Sequence, residues 1–308
     1  MQSLRKPLSA YVIAPAWLIK SRREHLLAER NLRRLGFNIL NPAFRPAHML
    51  CAGSAAKAAE IRRAFLDPRA DVVMALRGGY GSMKILPYLD FSVIKKSPKI
   101  LAGFSDLSAL LNPIYEKTGV IGLHSPMLWN FTSLRPLATR SFINALDGFP
   151  NKNLLDGAVS RTFAAGRSTG VLKGGNLVTL TALIGTPWET DTRGAVVFLE
   201  DVDEKMHEID RCLAHWALAG KFQGIRGLAL GDFRGVDTRA VFDVIRSLVN
   251  VKCPVIYCPD VGHVPRKITF PVGARVALNA PRISGTAALE VLSLDGYPAV
   301  GGQSAKNQ

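Results

Sequence analysis

Residues 99–108 read KILAGFSDLS, and this stretch joins a strand pattern directly to a helix pattern. The apolar run 99–104 predicts a buried strand, and a helix pattern begins near Leu107. A turn this sharp projects the hydroxyl of Ser105 above the edge of a sheet. It also places the N–H of Asp106 at a helix N-terminus, where it can stabilise an oxyanion. The same stretch allows a second interpretation, in which Ser105 or Asp106 only caps the helix.

The segments outside this stretch alternate between strand and helix patterns. In the first half, strand patterns cover 8–14, 36–40 and 70–76 besides 99–104, and helix patterns cover 21–35 and 55–65. In the second half, a strand pattern covers 194–199 and a helix pattern covers about 204–218. Because the first strands are short and apolar, we expect helices on both faces of their sheet. The alternation predicts an α/β fold with a parallel sheet in the first half.

The regular pattern loosens after about residue 135. Proline and glycine punctuate the following stretch, as at Pro136 and Gly157, so we predict a linker over 136–167. The predicted domains are 1–135, which carries the serine, and 168–308, which is smaller, mixed and strand-rich. The polar tail 301–308 is expected to fray.

The chain is strongly basic, with a formal net charge of +15 in 308 residues. Lysine and arginine are scattered along the sequence, so we expect a solvated surface that also attracts anionic substrates. A nucleic-acid footprint is the alternative that the charge leaves open. We do not expect nucleic acid to be the partner.

The cysteines and the apolar runs bear on the cellular compartment. Cys51, Cys212, Cys253 and Cys258 have neither a zinc-site nor a redox-motif spacing, so we expect reduced thiols, no metal site and a cytoplasmic protein. The apolar run 7–19 follows two basic residues as in a signal peptide, but Pro15 interrupts it, and we predict a buried strand instead. No stretch reaches the ~18 to 20 uninterrupted apolar residues of a membrane span, so no membrane contact is expected.

A glycine-rich segment follows the strand pattern at 70–76. Residues 77–82 read RGGYGS, and the three glycines let the backbone approach a ligand and turn its N–H groups inward. Such a loop suits a phosphate or an oxyanion. It lacks the Gly-Lys-Ser/Thr ending of a P-loop and the spacing of a dinucleotide fingerprint.

Glu200 and His263 each follow a strand pattern, at the kind of loop where open α/β sheets keep their sites. His263 comes after a glycine and can act as a general base, while Glu200 can hold its imidazole. With Ser105 they give the chain order Ser, Glu, His. The simpler interpretations are a solvated acidic turn for Glu200 and a surface histidine for His263.

Taken together, these segments resemble the LD-carboxypeptidase family of serine peptidases, which includes the microcin self-immunity hydrolases. The resemblance extends from about residue 8 to 280. The motifs that carry it are Ala14-Pro15, Gly36-Phe37, Gly53, Asp67-Pro68, Arg77 to Gly81, Leu86 to Asp90, Gly103 to Asp106, His124, Gly174 to Leu177, Leu199 to Val202, Ile209 to Arg211, Gly231 to Phe233 and Gly262-His263.

The resemblance implies a flavodoxin-like N-terminal domain and a smaller C-terminal domain that brings a glutamate and a histidine to the serine. It makes Ser105 the nucleophile, His263 the general base and acid, and Glu200 the orienting carboxylate. Glu204 is the fallback for that carboxylate. The implied oxyanion hole consists of backbone N–H groups of Asp106, Gly78 and Gly79.

The resemblance also implies the substrate, a murein tetrapeptide cut between the L-centre of meso-diaminopimelate and the terminal D-alanine during wall recycling. No cofactor or metal is implied, and a homodimer is expected. Arg77 and Arg211 are candidates for binding the terminal carboxylate, and His124 lies near the expected substrate contacts. His124-Ser125-Pro126 and His207 depart from the family pattern, which weakens the prediction of specificity more than that of reaction type.

Two other functions stay open at this point. A hydrolase of peptidyl-adenylate antibiotics would use the same triad, and a tryptophan such as Trp188 that stacks on a base would favour it. A non-catalytic basic binding protein would explain the charge but leaves the triad unexplained, and salt-dependent retention on DNA would reveal it.

Overall fold

The computed structural model describes residues 3–19, 21–41, 53–282 and 286–299, and the strands in these ranges form two sheets. Cys51 and the tail 301–308 lie outside the described residues. The first sheet has six strands, which are β1 (Leu8–Ile13), β2 (Phe37–Ile39), β3 (Val72–Ala75), β4 (Ile100–Gly103), β5 (Gly122–His124) and β11 (Phe270–Val272).

The strand order of the first sheet is β11-β5-β4-β3-β1-β2, and all pairs from β2 to β5 are parallel. The order 2-1-3-4-5 is the one found in flavodoxin-like folds. Residues of β3 and β4 are buried without exception, because neither face of a parallel sheet meets water. The predicted flavodoxin-like α/β architecture is confirmed.

One strand of the first sheet comes from the far end of the chain. β11 pairs antiparallel with β5, so that Phe270 lies opposite His124. This pairing places the segment just before β11 against the carboxyl ends of the parallel strands.

The second sheet is mixed, as the strand-rich prediction requires. Its strands are β6 (Arg161–Ala164), β7 (Gly166–Asn176), β8 (Ala195–Val202), β9 (Gly227–Arg234), β10 (Val255–Tyr257), β12 (Arg275–Ala280) and β13 (Ala288–Ser293). Their order is β13-β12-β7-β8-β9-β10-β6, and only the central strands β7 to β10 are parallel.

Eight α-helices lie in the described ranges, with three short 3₁₀ segments at Ser82–Tyr88, Ser105–Leu107 and Leu128–Thr132. The helices are α1 (Arg22–Arg34), α2 (Ser54–Leu66), α3 (Phe91–Lys96), α4 (Ser108–Thr118), α5 (Pro136–Leu146), α6 (Leu177–Thr181), α7 (Met206–Leu218) and α8 (Thr238–Leu248). None of the helices in this part of the chain is long and apolar enough to cross a membrane.

The segment predicted as a linker contains regular structure. Residues 136–146 form α5, and 161–164 form β6, which pairs antiparallel with β10 at one edge of the second sheet. The division into domains at 135 and 168 stays a prediction.

Two contacts, of which the first is buried, join the first sheet's helix α4 to the second sheet. The amide of Asn112 donates to the carbonyl of Gly174 at 2.9 Å and accepts from the Gly174 N–H at 3.0 Å. Lys173, also on β7, pairs with Glu116 at 2.7 Å. α4 is the helix that follows Ser105, so these bonds fix the serine turn relative to β7 and β8.

Candidate active site

Ser105 lies on a strained turn between β4 and α4. Its φ is +64°, in the left-handed region that residues with a side chain seldom occupy. Such a backbone costs on the order of 1 kcal/mol and persists only where the surroundings impose it. Neither the 3₁₀ turn nor α4 has a side-chain cap, so the helix-capping interpretation of Ser105 is wrong.

The glycine-rich loop packs directly against Ser105. A Cβ built on Gly78 would lie 3.0 Å from the Cβ and from the Oγ of Ser105, so a side chain at position 78 would crowd the hydroxyl. Gly79 has a φ of +137°, and a Cβ there would overlap the Trp17 ring. The loop therefore needs glycine at position 79, and the close approach of Ser105 favours glycine at position 78.

Asp106 ties this loop to the serine turn through its side chain. The buried carboxylate accepts a hydrogen bond from the Ser82 N–H at 2.8 Å. Burial raises the pKa of Asp106, and the bonds that it accepts from Ser82 and Gly81 oppose that rise. One residue thus supplies a backbone N–H next to Ser105 and also anchors the loop of Gly78 and Gly79.

His263 and Glu200 form a short hydrogen bond, with 2.7 Å between Nδ1 and Oε2. A carboxylate can only accept, so Nδ1 carries the proton and Nε2 is left as the basic nitrogen. The ring of His263 lies 4.7 Å from that of Phe104, measured between centroids, and Phe104 is the neighbour of Ser105. The structure thereby brings the histidine beside the serine turn.

Glu200 is completely buried. Burial alone would raise its pKa, but the electrostatic interactions with His263 and His124 and the hydrogen bond to His263 outweigh burial and hold the pKa of Glu200 at about 2. The sequence prediction placed Glu200 after its strand. Instead it lies within β8, where the register with β9 shifts between Leu199 and Asp201.

His124 lies behind Glu200. Its Nε2 is 3.8 Å from Oε1 of Glu200, too long for a hydrogen bond. The side chain is buried between the rings of Phe104 and Phe198, with centroids 5.8 and 5.0 Å away. In this position His124 packs behind Glu200. The contact of His124 with substrate stays a prediction.

The other carboxylates of the acidic turn have different partners. Asp201 accepts from the Asn176 amide and from the Val178 N–H, both at 2.9 Å. Burial, and next the charge of Glu200, raise its pKa to about 6. Glu204 is half-buried beside Glu208, and burial raises its pKa as well. Of these residues, Glu200 is the one hydrogen-bonded to His263.

The loop that carries His263 is closed by Asp260. Its carbonyl accepts from the Ile268 N–H at 2.7 Å, and its carboxylate accepts from Arg266 Nε at 3.0 Å and from the Val159 N–H at 3.1 Å. The loop is thus held to its own base and to the segment before β6. Sequence reasoning missed Asp260, although an acidic residue at the end of a strand pattern is a signal for such a role.

The predicted binding residues lie in different environments. The guanidinium of Arg77 is 4.7 Å from the Trp129 ring and 5.8 Å from the Trp17 ring, one residue from Gly78. Arg211 is exposed on α7. Trp188 is half-buried and packs against the main core.

A lysine that the sequence did not single out lies in the same region. Lys267 is buried, and its Nζ is 4.3 Å from the centre of the Phe104 ring. In a sequence rich in lysine and arginine, nothing distinguishes Lys267 from the other basic residues. Its position beside Phe104 becomes visible only in the folded structure.

Family models and relatives agree with this architecture. A model described as the LD-carboxypeptidase N-terminal domain matches residues 11–125, and one described as the LD-carboxypeptidase C-terminal domain matches 169–278. A probable murein peptide carboxypeptidase of Bacillus subtilis (strain 168) is 31% identical over 260 residues, which cover 80% of this chain and 82% of that protein.

Solved structures extend the similarity to the whole fold. The muramoyltetrapeptide carboxypeptidase of Oxalobacter formigenes superposes with a TM-score of 0.81 at 26% identity, over 94% of this chain and 100% of that one. An MccF-like protein of Bacillus anthracis strain Ames gives a TM-score of 0.84 at 24% identity, over 95% and 99% of the two chains. The latter likeness shows the fold.

Proposed function

Because this chain belongs to the LD-carboxypeptidase family, we propose that it is a serine peptidase that releases terminal D-alanine from a murein tetrapeptide by cutting an L-D bond. The observation that carries the proposal is the 2.7 Å bond from His263 to the buried Glu200, made beside the strained turn of Ser105. Ser105 is the nucleophile, His263 the base, and Glu200 the orienting acid.

Acylation begins when Nε2 of His263 takes the proton of the Ser105 hydroxyl as Oγ attacks the scissile carbonyl. The imidazolium that forms is stabilised by Glu200, which is ionised and already placed at Nδ1. His263 then returns the proton to the departing amine. Water activated by the same histidine hydrolyses the acyl-enzyme.

The oxyanion formed in both steps needs preorganised donors. In this proposal the Asp106 N–H, next to Ser105, and an N–H of the Gly78-Gly79 backbone supply them, and the close approach of Gly78 to Ser105 supports that assignment. The bond from Ser82 to the Asp106 carboxylate keeps the two donor segments together. This arrangement supports acyl transfer as the reaction class.

The wider setting follows from the same proposal. We expect a homodimer that works in the cytoplasm on recycled wall peptides, without a cofactor, since Ser105 and His263 supply the nucleophile and the proton transfers. The basic surface draws the anionic peptide towards the site.

The test is hydrolysis of a matched pair of tetrapeptides that end in an L-D or an L-L bond, with the released alanine measured. We expect turnover of the L-D peptide, and no change of rate on addition of EDTA. Ser105→Ala should lower kcat by about 10⁶-fold with little change in melting temperature. Ser247→Ala, an exposed serine on α8, is the control.

Two results would overturn the proposal. Loss of activity on chelation, restored by zinc, would replace the serine mechanism with a metal mechanism. If the Ser105→Ala variant kept most of its turnover, Ser105 could not be the nucleophile.

A second candidate function is hydrolysis of a peptidyl-adenylate. The observation in its favour is Trp17, whose side chain is half exposed and lies over Gly79 next to Arg77, where an aromatic base could stack. Trp17→Ala should then reduce kcat/KM for a peptidyl-adenylate far more than for the tetrapeptide. Equal effects on both substrates would rule this function out.

A further inference from the structure

Lys267 combines burial with an unfilled hydrogen-bonding capacity. Its relative exposure is 5%, its Nζ makes no hydrogen bond or ion pair to another described residue, and that atom is not fully enclosed. An ammonium group has three N–H donors, and holding them where little water reaches is unfavourable. A ligand that reaches Nζ can therefore supply the acceptors.

Two groups of the protein offset part of that cost. The face of the Phe104 ring lies 4.3 Å from Nζ, which is a favourable cation–π geometry. Burial lowers the pKa of Lys267 to about 8, and the charge of Glu200 opposes that shift. Lys267 is therefore a cation at neutral pH, and its donors remain available.

The position of Lys267 relative to His263, the proton donor, indicates which part of the substrate Lys267 contacts. Lys267 belongs to the same loop as His263, and both side chains contact the ring of Phe104, the residue before Ser105. In the proposed mechanism His263 protonates the departing amine. The departing amino acid therefore lies against this loop, and its carboxylate is one carbon away from that amine.

We infer that Lys267 binds the free α-carboxylate of the departing D-amino acid and makes the enzyme an exopeptidase. This inference rests on the proposed function. Arg77 lies on the glycine-rich loop and Arg211 is exposed on α7, so neither shares the loop of the proton donor. Lys267 is thus assigned the role that the sequence offered to those arginines.

The kinetic test compares a tetrapeptide acid with the same peptide carrying a terminal carboxamide. Lys267→Met keeps the apolar stem over Phe104 and removes the charge. It should lower kcat/KM for the acid roughly 10- to 100-fold, the range expected for a charged hydrogen bond, and leave the carboxamide nearly unaffected. Lys267→Arg should retain much of the preference for the acid. Lys152→Met, at the surface, controls for the loss of one positive charge.

A binding measurement separates this inference from the proposed reaction. In the Ser105→Ala background, calorimetry with the two peptides should show the same 10- to 100-fold loss for the acid alone when Lys267 becomes methionine. If the acid binds through Lys267 but wild-type protein hydrolyses neither peptide, the subsite stands and the reaction is wrong. If hydrolysis is normal and the preference for the acid survives in Lys267→Met, the reaction stands and the subsite is wrong. Failure of the Ser105→Ala protein to bind the acid overturns both.

Discussion

Four acidic residues occupy positions 200, 201, 203 and 204, and their surroundings separate their roles. Glu200 is the one that hydrogen-bonds His263, whereas Glu204 lies half-buried near Glu208. We predict that Glu200→Gln lowers kcat by roughly 10³- to 10⁴-fold, because a neutral amide no longer stabilises the imidazolium. Glu204→Gln should cost far less. Measurement of kcat for both variants on one tetrapeptide shows which carboxylate orients His263. A larger loss in Glu204→Gln would make Glu204 the third member of the triad.

The charge of Lys267 gives a second prediction, on pH. The charged or titratable groups around it are Glu200 on β8 and Arg234 on β9, with His263 and His124 across the Phe104 ring. Burial lowers its pKa to about 8, so the ammonium is present below that pH and is lost above it. The proposed carboxylate contact should therefore weaken, and kcat/KM for the acid should fall, as pH rises through about 8.

The control for this pH prediction is Lys267→Arg, since a guanidinium stays charged over the whole range. The fall near pH 8 should vanish in that variant, in a kcat/KM profile measured from pH 6 to pH 10. A fall that persists unchanged would have to come from another group.

The residues of the candidate site differ in how well the sequence alone could identify them. Ser105, Glu200 and His263 stand next to glycines or strand patterns, which made them visible as candidates. Asp260 also ends a strand pattern, but its contact with Val159 joins distant residues, as does the contact of Lys267 with Phe104, and a linear pattern contains neither contact.

At the scale of elements, the turn of Ser105 and the glycine-rich loop behave as one unit. A methyl group at position 78 would lie 3.0 Å from the Ser105 Oγ and 3.3 Å from the Met127 side chain. We predict that Gly78→Ala lowers kcat by at least 10²-fold, about the effect of losing an oxyanion donor, while the protein still folds. Kinetics and thermal melting on the same preparation provide the measurement.

The matched control for that substitution is Gly53→Ala. Gly53 has no atom within 4 Å of its built Cβ and no left-handed φ, so the same added methyl should leave kcat unchanged. Full activity in Gly78→Ala would show that this loop does not border the reacting atoms.

The elements themselves were predictable because short apolar strands alternate with amphipathic helices in the first half. The register shift at Glu200 and the strand β6 were not, since both depend on pairing with strands remote in sequence. The helix at 206–218 begins later than the predicted 204, because the Glu208 carboxylate accepts from the Lys205 N–H at 2.7 Å and fixes the start there.

At the scale of the whole molecule, Asn112 is a test of the junction between the sheets. Asn112→Ala would leave the N–H and carbonyl of Gly174 without the partners that Asn112 supplies. We predict a fall of about 2 kcal/mol or more in the free energy of unfolding, the cost of stranding buried polar groups. Denaturant unfolding measures it.

Asn144 offers a matched control for this prediction. Its amide makes the same pair of bonds to the backbone of a single residue, Asn151, but near the surface, where water can replace them. Asn144→Ala should therefore cost less than Asn112→Ala. Equal losses would mean that the junction contributes no more than a surface turn.

The strand β11 has a consequence for how the protein is made. During synthesis β5 emerges as an open edge, and its partner follows roughly 150 residues later, which at about 5 to 20 residues per second is a wait of roughly 7 to 30 s. An unpaired edge is a template for intermolecular pairing during that wait. His263 arrives on the chain shortly before β11, so the ribosome delivers the proposed catalytic base and the last strand of the first sheet almost together. A nascent chain stalled before residue 263 would have neither a closed sheet nor a competent hydrolase.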